Sequence, residues 1–218
     1  MTKAFAQSAP KIQKYVTELF KPQDTVLFEI VKRAAQESLP PIHVAPMDGL
    51  YLEIITRAVG ARKAVEIGTL AGYSGVSIAR GLGSRGKLYT FEFSSHHAQV
   101  AEKSFKKAGL SQRVEIFVGP ALDNLKKIES QGPFDLVFID ADKENYPAYL
   151  EWVIRNLRVG GIFLGDNTFA WGKISEDKSK DSKVKALRKF NHIAATHHRF
   201  RSTILPTGEG LTLGVKIK

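Results

Sequence analysis

Apolar positions along the chain first recur at helical spacing and then change to short strand-like runs. Ile12, Tyr15, Val16 and Leu19 repeat as one face of a helix, with Pro22 just beyond. A second helical pattern starts at Asp24, a residue type that caps helices. It runs through Val26, Leu27, Ile30, Val31 and Ala34 to a break at Pro40-Pro41. A third covers Asp48 to Val59 and stops at Gly60. Beyond it, apolar runs at 63–67, 87–93, 114–118, 134–139 and 161–165 alternate with helical patterns near 74–82, 95–108, 121–130 and 145–157. Strands separated by helices predict βαβ units, hence a mostly parallel sheet covered by helices on both faces. The end differs. Runs at 199–205 and 211–218, joined by the Gly-bearing 206–210, predict a terminal β-hairpin. The expected organisation is a single α/β domain over 1–218, with a helical extension over 1–60 and an α/β core over 61–218. No internal repeat or low-complexity linker interrupts it.

Composition narrows the chemistry. The 218 residues include no cysteine, which excludes disulfides, thiolate metal sites and cysteine nucleophiles. Residues 1–8 lack an apolar signal core, and no apolar run approaches the roughly 18 residues of a membrane span, so a soluble, cytoplasmic protein is expected. The net charge of +10 is unevenly spread. Nine Lys and Arg between 173 and 201 face three acids, Glu176, Asp177 and Asp181, for a local charge of +6. Such a run is either a solvated face or a contact for something anionic: RNA, a nucleotide-bearing substrate or acidic lipid.

The first strand ends in Val65-Glu66-Ile67-Gly68-Thr69-Leu70-Ala71-Gly72-Tyr73-Ser74-Gly75. Gly68 and Gly72 would let the backbone approach a ligand closely, but their spacing is not the G-x-G-x-x-G that cradles a dinucleotide pyrophosphate. Glu92, at the end of the second strand, is placed to accept hydrogen bonds from ribose hydroxyls. A nucleoside without a pyrophosphate fits both facts, and S-adenosylmethionine is the common one. A purely structural turn would also use these glycines, although acids at strand ends facing a crevice, here Glu66 and Glu92, need a partner.

The fourth strand runs into Asp140-Ala141-Asp142-Lys143, and the fifth into Asp166-Asn167. Adjacent strands would bring Asp140, Asp166 and Asn167 to one end of the sheet. Two carboxylates and an amide form an all-oxygen set suited to Mg²⁺, with Mn²⁺ or Ca²⁺ as alternatives, and leave positions open for a chelating diol. Either aspartate alone would read equally as a helix cap. Lys143 lies three residues past the first ligand, where a neighbouring cation favours its neutral amine and hence a role as base.

With these residues placed, the sequence resembles the cation-dependent O-methyltransferases, the group that includes catechol and caffeoyl-CoA O-methyltransferases and small bacterial relatives. The resemblance covers about residues 40–218 and is dense in 65–74, 134–146 and 166–174. It implies a Rossmann-like seven-stranded sheet with an antiparallel last strand, S-adenosylmethionine as methyl donor, and a homodimer. It further implies that Asp140, Asp166 and Asn167 hold the metal and that Lys143 is the catalytic base. Glu66, Gly68 and Ser74 would line the methionine end of the cofactor, with Val44 closing over it. Glu92 would bind the ribose, with Ala121, Asp140 and Asp142 approaching the cofactor from neighbouring strands. Trp171 stands where plant caffeoyl-CoA enzymes have asparagine, and reads either as a platform for a flat ring or as packing. Nothing matches the acidic substrate-gating residue of animal catechol enzymes. The expected reaction is methylation of one hydroxyl of an aromatic vicinal diol. The alternative is a tRNA hydroxyuridine, which the basic stretch over 173–201 would suit.

Overall fold

A computed structural model describes residues 10–176 and 178–218. The opening residues 1–8 and Asp177 of the basic run lie outside them. Three helices come first: α1 (Pro10–Phe20), α2 (Thr25–Gln36) and α3 (Pro46–Ala58). Asp24 caps α2 through a 2.9 Å bond from the Leu27 amide, as its residue type predicts. The third helix starts two residues before the expected Asp48, at Pro46, a residue whose fixed φ suits the first helical turn.

The strands are β1 (Lys63–Ile67), β2 (Lys87–Glu92), β3 (Val114–Val118), β4 (Phe134–Ile139), β5 (Leu157–Gly165), β6 (Phe200–Leu205) and β7 (Leu211–Lys216). Between them lie α4 (Tyr73–Gly81), α5 (Ser95–Lys107), α6 (Ala121–Ile128), α7 (Tyr146–Asn156) and α8 (Ser182–Thr196). The fifth strand begins four residues earlier than its apolar run suggests, because Leu157 pairs with Phe134 and residues 158–161 form a register irregularity before Ile162 pairs with Leu136. One seven-stranded sheet results, in the order β3-β2-β1-β4-β5-β7-β6. Strands β1 to β5 pair in parallel, while β7 is antiparallel to both β5 and β6.

Strand alternation divides the buried side chains between two faces. Ala64, Leu136, Phe138 and Leu164 pack with α2, α3, α4 and α5 through Ile30, Leu52, Val76 and Phe105. Val65, Ile67, Val137, Ile139 and Phe163 pack with α6, α7 and α8 through Leu125, Leu150, Trp152, Leu187 and Phe190. Both faces are therefore covered, which accounts for the near-continuous apolar runs. Among the described residues no helix is long and apolar enough to cross a membrane.

Candidate active site at the switch point of the sheet

The chain leaves β1 toward β2 on one side and returns to β4 on the other, so the crevice beyond the carboxyl ends of β1 and β4 is the switch point where such sheets bind ligands. Gly68 closes β1 there with φ +102°, and a Cβ on it would lie 1.9 Å from the Asp140 carbonyl oxygen. No side chain fits. The loop after it is held by Glu92, whose Oε2 accepts from the amides of Thr69 (3.2 Å) and Leu70 (2.8 Å), while Oε1 accepts from Ser94 (2.9 Å). Glu92 is thus more than a free acid waiting for a ribose: it already ties the end of β2 to the loop after β1.

Glu66 points to the α2–α5 face and is fully buried. Its Oε2 accepts from Thr90 at 2.6 Å, with the Gly75 backbone pressed close, and its Oε1 has no hydrogen-bond partner. Burial pushes its carboxyl up to about 8. Ser74 is buried alongside, at the start of α4, and Val44 is buried between α2 and α3. Ala121 opens α6 after the left-handed Gly119, whose amide bonds the Glu92 carbonyl.

Strands β4 and β5 are neighbours with Ile139 opposite Gly165, which sets Asp140 and Asp166 side by side; the Asp166 amide bonds the Ile139 carbonyl at 3.0 Å. Asp166 is buried, and desolvation together with the Asp140 charge raises its carboxyl to about 7. Asn167 follows in the left-handed region, φ 56°, its amide donating to Asp166 Oδ1 at 2.8 Å. A non-glycine residue held there is uncommon and marks a constrained turn. Lys143 sits in a 3-10 turn after β4 and is buried, its Nζ 2.9 Å from Asp140 Oδ1 and 2.7 Å from the Tyr146 hydroxyl. Asp142 is exposed and is engaged by the Tyr149 hydroxyl at 2.6 Å and by the Asn145 side chain. Asp140, Lys143, Asp166 and Asn167 thus share one end of the sheet. Neither aspartate serves as a side-chain helix cap.

The chain matches an O-methyltransferase family model over residues 17–217. It belongs to the O-methyltransferase family. It is 37% identical to a catechol O-methyltransferase of Mycobacterium tuberculosis over 198 residues, covering 91% of this chain and 89% of that protein. A catechol O-methyltransferase of Niastella koreensis is 36% identical, with 89% of each chain covered. Among solved structures, a Bacillus cereus O-methyltransferase in complex with SAH superposes with a TM-score of 0.90 at 38% identity, covering 94% of this chain and 97% of that one.

Two residues of this candidate site escape a reading of the sequence. Tyr146 is fully buried, and its hydroxyl lies 3.1 Å from the Ile139 carbonyl and 3.0 Å from that of Asp166, so one phenol spans the ends of β4 and β5. Burial and the surrounding aspartates push its ionisation well above the usual phenol range. Asp48, in the first turn of α3, lies close enough for its charge to reach Asp166, and burial raises its own carboxyl to about 6. Trp171 is half exposed at φ 54°, in a loop whose Ala170 and Gly172 are also left-handed. Its ring is not core packing. Among the described residues no group of three or more His, Asp or Glu gathers as a metal cage. The candidate set has only two carboxylates, with an amide as its third member.

Proposed function

We propose that this enzyme transfers a methyl group from S-adenosylmethionine to one hydroxyl of an aromatic vicinal diol, with a divalent cation at Asp140, Asp166 and Asn167 and Lys143 as base. The observation that carries the reading is a buried lysine amine 2.9 Å from one of two carboxylates at adjoining strand ends. An amine enclosed in that set is suited to moving a proton rather than to solubility.

The residues suit both absent groups. The orphaned Oε1 of buried Glu66 calls for a donor, as the ammonium of a methionine moiety would provide, and the bare backbone at Gly68 leaves room for close approach. S-adenosylmethionine supplies an electrophilic methyl carbon. The oxygen-only set suits a hard cation, Mg²⁺ first, which supplies positive charge that eases ionisation of a hydroxyl beside it.

The chain's own contribution follows. Glu66, Gly68, Ser74 and Val44 enclose the methionine end of the cofactor. Glu92 holds the loop and offers its remaining lone pairs to the ribose, and Ala121 and Asp142 border the cofactor. Lys143 takes the hydroxyl proton at Nζ, while Asp140 and Tyr146 fix where that nitrogen points. Holding oxygen and methyl carbon near contact distance supplies much of the rate. The catechol O-methyltransferases among the relatives, and the SAH in the Bacillus cereus structure, support the substrate and cofactor classes.

We further propose a homodimer, supported by the exposed apolar stripe Ile12, Tyr15, Leu19 and Phe20 on α1. The deciding assay offers labelled S-adenosylmethionine and Mg²⁺ with a catechol panel and, separately, total tRNA. Methylation of catechols that stops in chelator supports the reading; no transfer to any diol overturns it.

A further inference from the structure

Asp48 is a carboxylate on its own. It lies in the first turn of α3, partly buried, and no hydrogen-bond donor or cation among the described residues pairs with it; its charge reaches Asp166, where it is repulsive. A position in the first turn is favoured by the helix dipole, but an exposed acid gains that equally and needs no burial. It does not cap the helix either, since the N-cap is Ala45, without a side-chain bond. Burial of an unpaired carboxylate is unfavourable, and such groups concentrate where a ligand completes them.

The helix cannot easily turn the carboxylate away. A Cβ on Gly49 would lie 2.9 Å from the Tyr73 ring, and one on Gly81 would lie 2.5 Å from the Glu53 carbonyl, so α3 lies tight on α4, with the Tyr73 ring against Gly49 and backbone against backbone at Gly81. Leu52 and Thr56 are buried on the same contact. Because α4 begins at the end of the loop after β1, this docking fixes the first turn of α3 relative to the crevice.

We infer that Asp48 is a specificity-determining residue of this site, accepting a hydrogen bond from the methyl acceptor and favouring diols that carry an ammonium over diols that carry a carboxylate. The inference rests on the reading of the crevice as a methyl-acceptor site. With Lys143 neutral, as its role as base requires, a divalent cation between Asp140 and Asp166 would cancel those two charges, leaving Asp48 as the uncompensated one. The chain's basic stretch argues the other way, but Lys183, Lys185 and Lys189 are exposed. Their field is screened over about 8 Å at physiological ionic strength, whereas a half-buried charge beside the site is screened much less.

The test is calorimetric binding of dopamine, catechol and protocatechuate to the protein with Mg²⁺ and S-adenosylhomocysteine, for wild type and Asp48→Asn. Wild type should bind dopamine at least about tenfold more tightly than protocatechuate, a difference of roughly 1.4 kcal/mol. Asp48→Asn should bring the two within about threefold, leaving Mg²⁺ and S-adenosylhomocysteine affinities unchanged. An unchanged ratio, absence of the wild-type preference, or uniform weakening of all three diols with loss of Mg²⁺ affinity overturns the inference. A separate turnover assay judges the methyl-transfer reading. Collapse of the binding ratio without turnover sinks that reading and leaves Asp48 as a determinant of diol binding alone. Turnover with an unchanged ratio does the reverse.

Discussion

The Tyr146 hydroxyl accepts a hydrogen bond from Lys143 Nζ at 2.7 Å while lying within bonding distance of two backbone carbonyls, one at the end of β4 and one just past β5. The lysine amine is thereby referenced to both strands that carry the aspartates. Tyr146→Phe removes the phenol oxygen, leaving the buried amine with Asp140 alone and taking the single hydroxyl hydrogen from the two carbonyls, a cost of about 1–3 kcal/mol in stability. We expect a folded protein with a lower midpoint in urea, lower kcat and a shifted pH–rate profile. A variant with unchanged kcat and profile would show that Tyr146 serves packing alone.

Metal removal should be decisive. EDTA should abolish methyl transfer, and Mg²⁺ or Mn²⁺ should restore it. Asp166→Ala should lose cation binding while keeping most of its cofactor affinity. Because Asp166 holds its proton up to about pH 7, protons and cations compete for it, so Mg²⁺ affinity should fall as pH drops through 7. Full activity in chelator would remove the metal from the mechanism.

Glu66 gives a prediction about stability. Its folded value is about 8 against an ordinary 4.5, so between those limits the folded state binds more protons than the unfolded one. Stability of the cofactor-free protein should therefore decline as pH rises from about 5 to 8 and level off above. Glu66→Gln carries no charge to bury. Its thermal midpoint should be flatter over that window and higher than wild type at pH 9, while its S-adenosylmethionine affinity falls. Parallel midpoint curves for the two proteins would mean that Glu66 is ionised when folded.

The extent to which the sequence announces this site follows from how local each part is. Asp140, Lys143, Asp166 and Asn167 sit directly after two apolar runs, so strand adjacency alone predicts their meeting, and the register of Ile139 with Gly165 realises it. The terminal hairpin is legible for the same reason. Tyr146 follows Lys143 at a three-residue spacing, a signal present in the chain but indistinguishable there from an ordinary core aromatic. Asp48 was out of reach. Its approach to Asp166 depends on α3 docking onto α4 through Gly49 and Gly81, a contact no periodicity encodes. The start of α3 was legible in principle, since Pro46 is a first-turn signal.

Glu92 now carries two duties, and a single substitution should expose both. Glu92→Ala deprives the Thr69, Leu70 and Ser94 amides of their acceptor and takes from the ribose its expected one. Cofactor binding should weaken by about 1.5–3 kcal/mol, the range for hydrogen bonds to a charged group. Amide exchange at Thr69 and Leu70 should also accelerate in the cofactor-free protein. Unchanged affinity by calorimetry would mean that the ribose is held elsewhere.

The last prediction separates chemistry from substrate attraction. Lys143 is buried against the aspartates, whereas Lys183, Lys185 and Lys189 stand exposed on α8. Arg188 is withdrawn from that face, its guanidinium bonding the carbonyls of Ile174 and Glu176 and so bracing the loop after Asn167. Yet α8 is not remote: the Ser182 hydroxyl bonds Glu144 at 3.2 Å, in the same turn as Lys143. A large anionic acceptor at the crevice would therefore pass these lysines, and a small catechol need not. Lys143→Ala should lower the chemical rate by about 10²–10⁴ for any acceptor, the usual contribution of a general base. Reversing Lys185 and Lys189 to Glu should leave catechol turnover within about twofold, because exposed charges at that range are screened. If a hydroxyuridine in tRNA is methylated at all, the same reversal should cut it sharply, and wild-type RNA methylation should weaken steeply with salt. Near-normal turnover by Lys143→Ala would count against this division. So would loss of catechol activity in a charge-reversed enzyme that still folds and binds cofactor.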